Sequence, residues 1–357
     1  MNVDRLKKLI ENPRYTKKKV TLKDGRILSY SECGNTESGM PVLFCFGLMT
    51  SSVAIMFAHQ AALQNNLRIL AVDYPGIGES TFQEGRTLSG WADDMSQFCD
   101  KVLGSYGSRI RLLGHSLGGL HALALLSDRS FKERIVRTVL LSPWIYFNDT
   151  DEMNPQWITL AQTLPEVFRS SIIPSVLSRL SMGTIHLAGW SNPHHTQLQA
   201  AKIISSYATL QGSAGNEQMV RLALSKSDIY IPSNLRSPVI VYHGTKDHLV
   251  LSKSVTELVK QMNERNCTAS LVTIENADHN NILSEPNNLS KVMGSIVGEP
   301  DTWAKEIVDS LLGKSRSLPT PTSKARAVSK RELSPEEAVR KGRSLPTKLY
   351  GLDFFDE

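Results

Sequence analysis

The stretch Arg109-Ile-Arg-Leu-Leu-Gly114-His115-Ser116-Leu117-Gly118-Gly119 constrains this chain more than any other. An apolar, strand-like run ends in Gly-x-Ser-x-Gly and passes directly into an apolar, helix-like run, Leu120 to Leu126. A serine at the tip of a sharp strand-to-helix turn has crowded backbone angles. Glycines at 114 and 118 remove the Cβ atoms that would collide there. Such a turn lifts the hydroxyl clear of a sheet and aims the first free N–H groups of the helix at whatever the serine attacks. Ser116 is therefore a candidate nucleophile, and the rest of the chain must supply an acid and a base.

Both follow downstream. Ser237-Pro-Val-Ile-Val-Tyr-His-Gly244-Thr-Lys-Asp247 reads as a buried strand running into a loop that carries a carboxylate. Ala269-Ser-Leu-Val-Thr-Ile-Glu-Asn-Ala-Asp278-His279 reads as a second strand running into a loop that carries an imidazole. The order Ser116, Asp247, His279 distinguishes one serine-triad fold from the others. In that arrangement His279 takes the proton of Ser116 and returns it to the leaving group. Asp247 fixes the tautomer of His279 and stabilises the imidazolium.

Three further motifs accompany the triad residues: Phe44-Cys-Phe46-Gly47-Leu48, Asp73-Tyr-Pro-Gly76-Ile-Gly78-Glu-Ser80 and Gly244-Thr-Lys-Asp247-His-Leu-Val250. Together they resemble the serine hydrolases of the α/β-hydrolase superfamily, capped and esterase- or lipase-like, over roughly residues 16 to 312. The resemblance implies an oxyanion hole made by the backbone N–H groups of Leu48 and Leu117, each contributing on the order of 3 kcal/mol to lowering the barrier. Phe46 stands where that superfamily usually has histidine, and Pro75 where it usually has arginine. Neither position belongs to the triad; both bear on how the oxyanion loop is held.

The rhythm of the chain agrees with a mostly parallel sheet covered by helices on both faces. Strands are expected near 17–23, 27–32, 41–46, 68–73, 109–113, 135–142, 238–243 and 269–275, and helices near 52–64, 89–104, 117–128 and 251–264. Asp24-Gly25 predicts a two-residue hairpin turn between the first two strands. Residues 1–145 and 231–312 form the expected α/β core. Residues 146–230, interrupted by Pro155, Pro165, Pro174 and Pro193, form an expected helical cap. There Trp157, Phe168, Ile172, Ile173, Val176, Leu177, Leu180, Trp190 and Leu198 supply apolar surface, mostly to pack the cap on itself and the core, with about a quarter of them lining the site. His194-His195 lack metal-type spacing and read as surface residues.

Residues 313–357 form a Ser-, Pro-, Lys- and Arg-rich tail expected to be disordered. Ten of the 40 Lys+Arg and six of the 35 Asp+Glu fall within 314–357, so the tail carries +4 and the remainder +1. The body is thus not a nucleic-acid surface. Arg316-Ser-Leu-Pro-Thr320 and Arg343-Ser-Leu-Pro-Thr347 repeat one pattern, which makes Ser317 and Ser344 candidate phosphorylation sites for adaptor binding through arginine clusters.

Four scattered cysteines, Cys33, Cys45, Cys99 and Cys267, imply no disulfide framework. The first residues lack the apolar core of a secretory signal, and no stretch spans a bilayer, so a cytoplasmic protein is expected. Leu6, Leu9 and Ile10 instead suggest a short amphipathic helix docked on the core. No P-loop, His-Glu-x-x-His or dinucleotide-binding glycine pattern occurs, so no cofactor or metal is expected. These residues point first to a serine hydrolase of a small to medium hydrophobic carboxylic ester, thioester, lactone or acylglycerol. The same triad also serves aminopeptidase, acyl-transfer and carbon–carbon hydrolase chemistry, and the same fold also serves non-catalytic ligand receptors or scaffolds.

Overall fold

The computed structural model describes residues 3–104, 109–145, 172–191, 194–224 and 231–298. The chain divides into two compact units, Met1–Val308 and Asp309–Glu357, and all described residues belong to the first. The 313–357 tail with Ser317 and Ser344 lies outside the described residues, as do Trp157 and Phe168.

Eight strands build one sheet among the described residues: β1 (Lys18–Thr21), β2 (Ile27–Gly34), β3 (Met40–Cys45), β4 (Leu67–Val72), β5 (Ile110–His115), β6 (Ile135–Leu141), β7 (Val239–Gly244) and β8 (Ala269–Ile274). Their spatial order is β1-β2-β4-β3-β5-β6-β7-β8. β1 pairs antiparallel with β2, and β2 with β4; every later pairing is parallel. The central strands are almost continuously apolar because helices cover both faces. Val42, Leu43, Ile69, Leu70, Leu112, Leu113, Val139 and Leu140 are all buried.

The helices are α1 (Val3–Glu11), α2 (His59–Gln64), α3 (Leu88–Leu103), α4 (Gly118–Ser127), α5 (Ile173–Ser191), α6 (Thr196–Ala208), α7 (Ala214–Leu224), α8 (Ser252–Glu264), α9 (Asn281–Ser284) and α10 (Pro286–Val297). A 3₁₀ stretch, Ser52–Ala58, precedes α2. α1 buries Leu6 and Ile10, which docks it on the core. α4 is buried along nearly its whole length, consistent with a sequence that is apolar on every side. No helix among the described residues is long and apolar enough to cross a membrane.

Two expectations change. The β1–β2 turn has three residues, Lys23-Asp24-Gly25, because Leu22 N donates to Arg26 O at 2.8 Å and Gly25 N to Leu22 O at 3.1 Å. Gly25 takes φ +86°, the left-handed residue that closes such a loop. The inserted segment differs in its packing. Ile173 and Leu177 pack inward, but Ile172, Val176, Leu180 and Trp190 of the same stretch are exposed, Trp190 at 75%. Helical spacing places those four on one outward stripe, so they do not supply the internal packing their apolarity suggested.

The topology places the site. From β3 the chain steps outward to β4, then returns across β3 to β5. The crevice beyond the carboxyl ends of β3 and β5 is therefore the point where the winding reverses, the place where open α/β sheets bind ligands. Cys45 of β3 pairs with Gly114 of β5, so the loops leaving the two strands start side by side.

Candidate active site

Ser116 leaves β5 with φ +55°, in the left-handed region that non-glycine residues rarely occupy. Backbone hydrogen bonds hold it there. Its N–H donates to Leu141 O at 3.1 Å, and its carbonyl accepts from Gly119 N and Trp144 N, each at 2.8 Å. The flanking glycines are required by close approach. A Cβ on Gly114 would lie 3.0 Å from both Ala122 Cβ and Leu140 Cδ2, and one on Gly118 would lie 2.0 Å from Cys45 O. Strain at such a turn persists because the surrounding structure over-determines it.

His279 follows β8 and Asp247 follows β7, two strands that pair as far as Gly244 and Ile274. His279 Nε2 lies 2.8 Å from Ser116 Oγ, and His279 Nδ1 lies 2.9 Å from Asp247 Oδ2. An ionised carboxylate only accepts, so Nδ1–H donates to Asp247 and the Nε2 lone pair faces the serine hydroxyl. Asp247 Oδ1 accepts from Leu249 N at 2.9 Å and Val250 N at 3.0 Å. Burial alone would raise this carboxyl. The hydrogen bond and charge of His279 outweigh it, aided by Ser142 and Val250, and hold Asp247 well below the usual carboxylate range.

Leu117 follows the serine directly, and Gly47, the neighbour of Leu48, lies against it. Leu117 is the N-cap of α4, so its N–H is among the helix-terminal donors without an intrahelical partner. A Cβ on Gly47 would come within 3.0 Å of Ser116 Cβ and 3.4 Å of its Oγ, which puts the loop carrying Leu48 in contact with the serine. The positions where histidine and arginine are usual are handled by other contacts. Phe46 is fully buried against Tyr74, ring centroids 4.6 Å apart, and Tyr74 Oη donates to Phe46 O at 3.0 Å. Pro75 lies in the loop after β4, whose first residue, the buried Asp73, accepts from Ser52 N (2.6 Å), Ser52 Oγ (2.9 Å) and Ser29 Oγ (2.7 Å). Ser80 Oγ also donates to Asp73 O at 2.7 Å, so the Asp73–Ser80 motif is fastened internally and to Ser29 and Ser52.

Sequence reasoning passed over His115. It is half-buried beside His279, ring centroids 5.1 Å apart, and its Nε2 lies 2.9 Å from the His279 carbonyl. Burial and the neighbouring His279 pull it down to about 4, so it is neutral at pH 7 and donates to that carbonyl. Its position inside Gly-x-Ser-x-Gly was the available signal, but a variable position in a motif shows no partner. All four cysteines are free and buried, and Cys45 beneath the site is pushed up to about 12 by burial. Among the described residues no group of three or more His, Cys, Asp or Glu side chains is placed to hold a metal ion.

No curated protein sequence matches the chain. Solved structures that resemble it include a thermophilic esterase from Thermogutta terrifontis (20% identity, TM-score 0.54, covering 81% of this chain and 98% of that one). An esterase from Rhodococcus sp. ECU1013 matches with 19% identity and TM-score 0.58, over 80% and 99% of the two chains. The enol-lactonase from Burkholderia xenovorans LB400 matches with 18% identity and TM-score 0.57, over 78% and 99%. At these identities the likeness concerns the fold. The family model for the alpha/beta hydrolase fold matches residues 40–286, and the chain belongs to that family.

Proposed function

We propose that this protein is a serine hydrolase that cleaves hydrophobic carboxylic esters, or the related thioesters, lactones or acylglycerols, through an acyl-enzyme on Ser116. The observation that carries this reading is the row Ser116 Oγ–His279 Nε2 (2.8 Å) and His279 Nδ1–Asp247 Oδ2 (2.9 Å) beside a helix N-terminus. His279 removes the hydroxyl proton as Ser116 attacks the carbonyl carbon. The tetrahedral oxygen is received by the Leu48 and Leu117 amides. Collapse expels the alkoxide, which takes the proton from His279; a water molecule then repeats the sequence and frees Ser116.

The preference for an apolar acyl group is supported by what lies against this row. Leu48, next to the Gly47 that contacts Ser116, and Trp144, whose N–H donates to Ser116 O, pack against Val220 and Leu224 of α7, as do Ile173 and Leu177 of α5. An apolar wall favours hydrocarbon over charged groups by transfer free energy, about 0.8 kcal/mol per methylene.

The test uses the wild type and Ser116→Ala, treated with a fluorophosphonate probe and then with chromogenic esters of increasing chain length. Expected are labelling and turnover in the wild type, no labelling in the variant, and a loss of kcat on the order of 10⁴-fold or more. Labelling that persists in Ser116→Ala would move the nucleophile elsewhere. A wild type that neither labels nor turns over any ester would favour a receptor on the same fold.

A further inference from the structure

Met49 directly follows the Leu48 amide and sits at φ +57°. A residue with a Cβ takes that conformation only where its surroundings enforce it. The enforcing group comes from the inserted helices. Met49 N–H donates to Asn216 Oδ1 at 3.2 Å, and Asn216 Nδ2 donates to Ala208 O at 3.1 Å. Ala208 is the last residue of α6, where helix carbonyls have no intrahelical partner. Asn216 itself is 0% exposed, so one buried amide joins the oxyanion loop, the end of α6 and the start of α7.

The surrounding contacts leave that amide little freedom. A Cβ on Gly215 would lie 2.4 Å from Gly76 O, so the first turn of α7 is pressed onto the loop after β4. Gln211 Nε2 donates to Gly78 O at 2.8 Å and to Ser80 O at 2.9 Å, which ties the α6–α7 connection to that same loop. On its other side, the oxyanion loop is held by the Tyr74 hydroxyl on Phe46 O. The Leu48 amide therefore hangs between two fixed points, one in the core and one in the inserted segment.

We infer that Asn216 is a positioning residue for the oxyanion hole: by holding Met49 N–H it orients the Leu48 amide. The inference rests on the serine-hydrolase reading above. Asn216 touches no reacting atom and acts only through Met49 and Leu48.

Asn216→Ala removes the acceptor from the full-length protein. Gln211→Ala removes two hydrogen bonds between the same helices and the core without touching Met49, and serves as the comparison. For a chromogenic ester, Asn216→Ala is expected to lower kcat about tenfold to a hundredfold, the effect of a displacement approaching 1 Å at a reacting group, with KM nearly unchanged. Affinity for a trifluoromethyl ketone, whose hemiketal oxygen occupies the oxyanion hole, is expected to fall by the same factor as kcat/KM. Adding Met49→Gly to Asn216→Ala is expected to restore part of kcat, because glycine adopts positive φ without a clamp.

Should the alanine variant not fold, Asn216→Ser gives the same readout, its hydroxyl being too short to reach Met49. Unchanged kcat and inhibitor affinity at position 216, or an equal loss of kcat in Gln211→Ala, would overturn the inference. Wild-type turnover and its loss in Ser116→Ala are measured alongside. An inactive wild type would remove the hydrolase reading and this inference together, whereas active wild type with active Asn216→Ala would remove the inference alone.

Discussion

Gly118→Ala tests the close approach on which the site is built. A Cβ on residue 118 would stand 2.0 Å from Cys45 O, 2.5 Å from Cys45 C and 2.8 Å from Phe46 O. All three are backbone atoms at the end of β3, so no side chain can swing away to make room. An ordinary contact begins near 3.4 Å, so either the start of α4 or the end of β3 must move by roughly 1.4 Å. The first movement shifts Leu117, the second shifts the loop that carries Leu48; both displace a proposed oxyanion donor from Ser116. The expected losses are about a hundredfold in kcat/KM and about 1–3 kcal/mol in stability, after the gain of roughly 1 kcal/mol that alanine brings to a helix. Ester turnover and urea unfolding measure the two. Gly294→Ala is the comparison, because that exposed position in α10 has nothing within 4 Å of a new Cβ. It should gain about 0.5–1 kcal/mol and keep full activity. Gly118→Ala with wild-type turnover would refute the argument that the site depends on this contact.

Two further predictions concern buried charges. Burial raises Asp73 to about 6, against the opposing hydrogen bonds of Ser52 and Ser29. The folded protein therefore holds this proton between pH 4 and 6 while the unfolded chain has lost it, and the contribution of Asp73 to stability declines as pH rises through that window, by roughly 3 kcal/mol in all. Asp73→Asn abolishes that decline, so denaturant unfolding of variant and wild type should show a stability difference that moves in the variant's favour from pH 4 to pH 7; a constant difference would contradict the assignment. Arg26 reaches the buried Asp94 through Nη1 at 2.8 Å and Nη2 at 2.6 Å, fastening the β1–β2 hairpin to α3. Arg26→Ala leaves that carboxylate unpaired and should cost about 3–5 kcal/mol, of which Arg26→Ala/Asp94→Ala recovers a part. A loss under about 1 kcal/mol for the single variant would mean that the pair is solvated.

The strands and the flanking helices of the core were legible because each is a local pattern. A parallel strand buried on both faces must be apolar at nearly every position, as Leu67–Val72 and Ile135–Leu141 are, and no turn or loop sequence imitates that. The loop at Lys23-Asp24-Gly25 was misjudged by one residue, since Asp-Gly suits both the two- and the three-residue hairpin. The outward stripe of α5 was misread for a different reason. Apolarity marks a face without naming what lies against it.

What the chain determined by itself was the order of chemical groups: a serine between glycines, then a carboxylate, then an imidazole, each just past an apolar strand. Only the tertiary structure decided which amides and side chains hold them in register. His115 against the His279 carbonyl, Tyr74 beneath Phe46 and Asn216 on Met49 are long-range contacts, the last across 167 residues of sequence separation. Local propensity and periodicity carry no record of such pairs. A buried asparagine in a helix and a methionine in a loop look unremarkable until the fold brings the side chain of one to the backbone of the other.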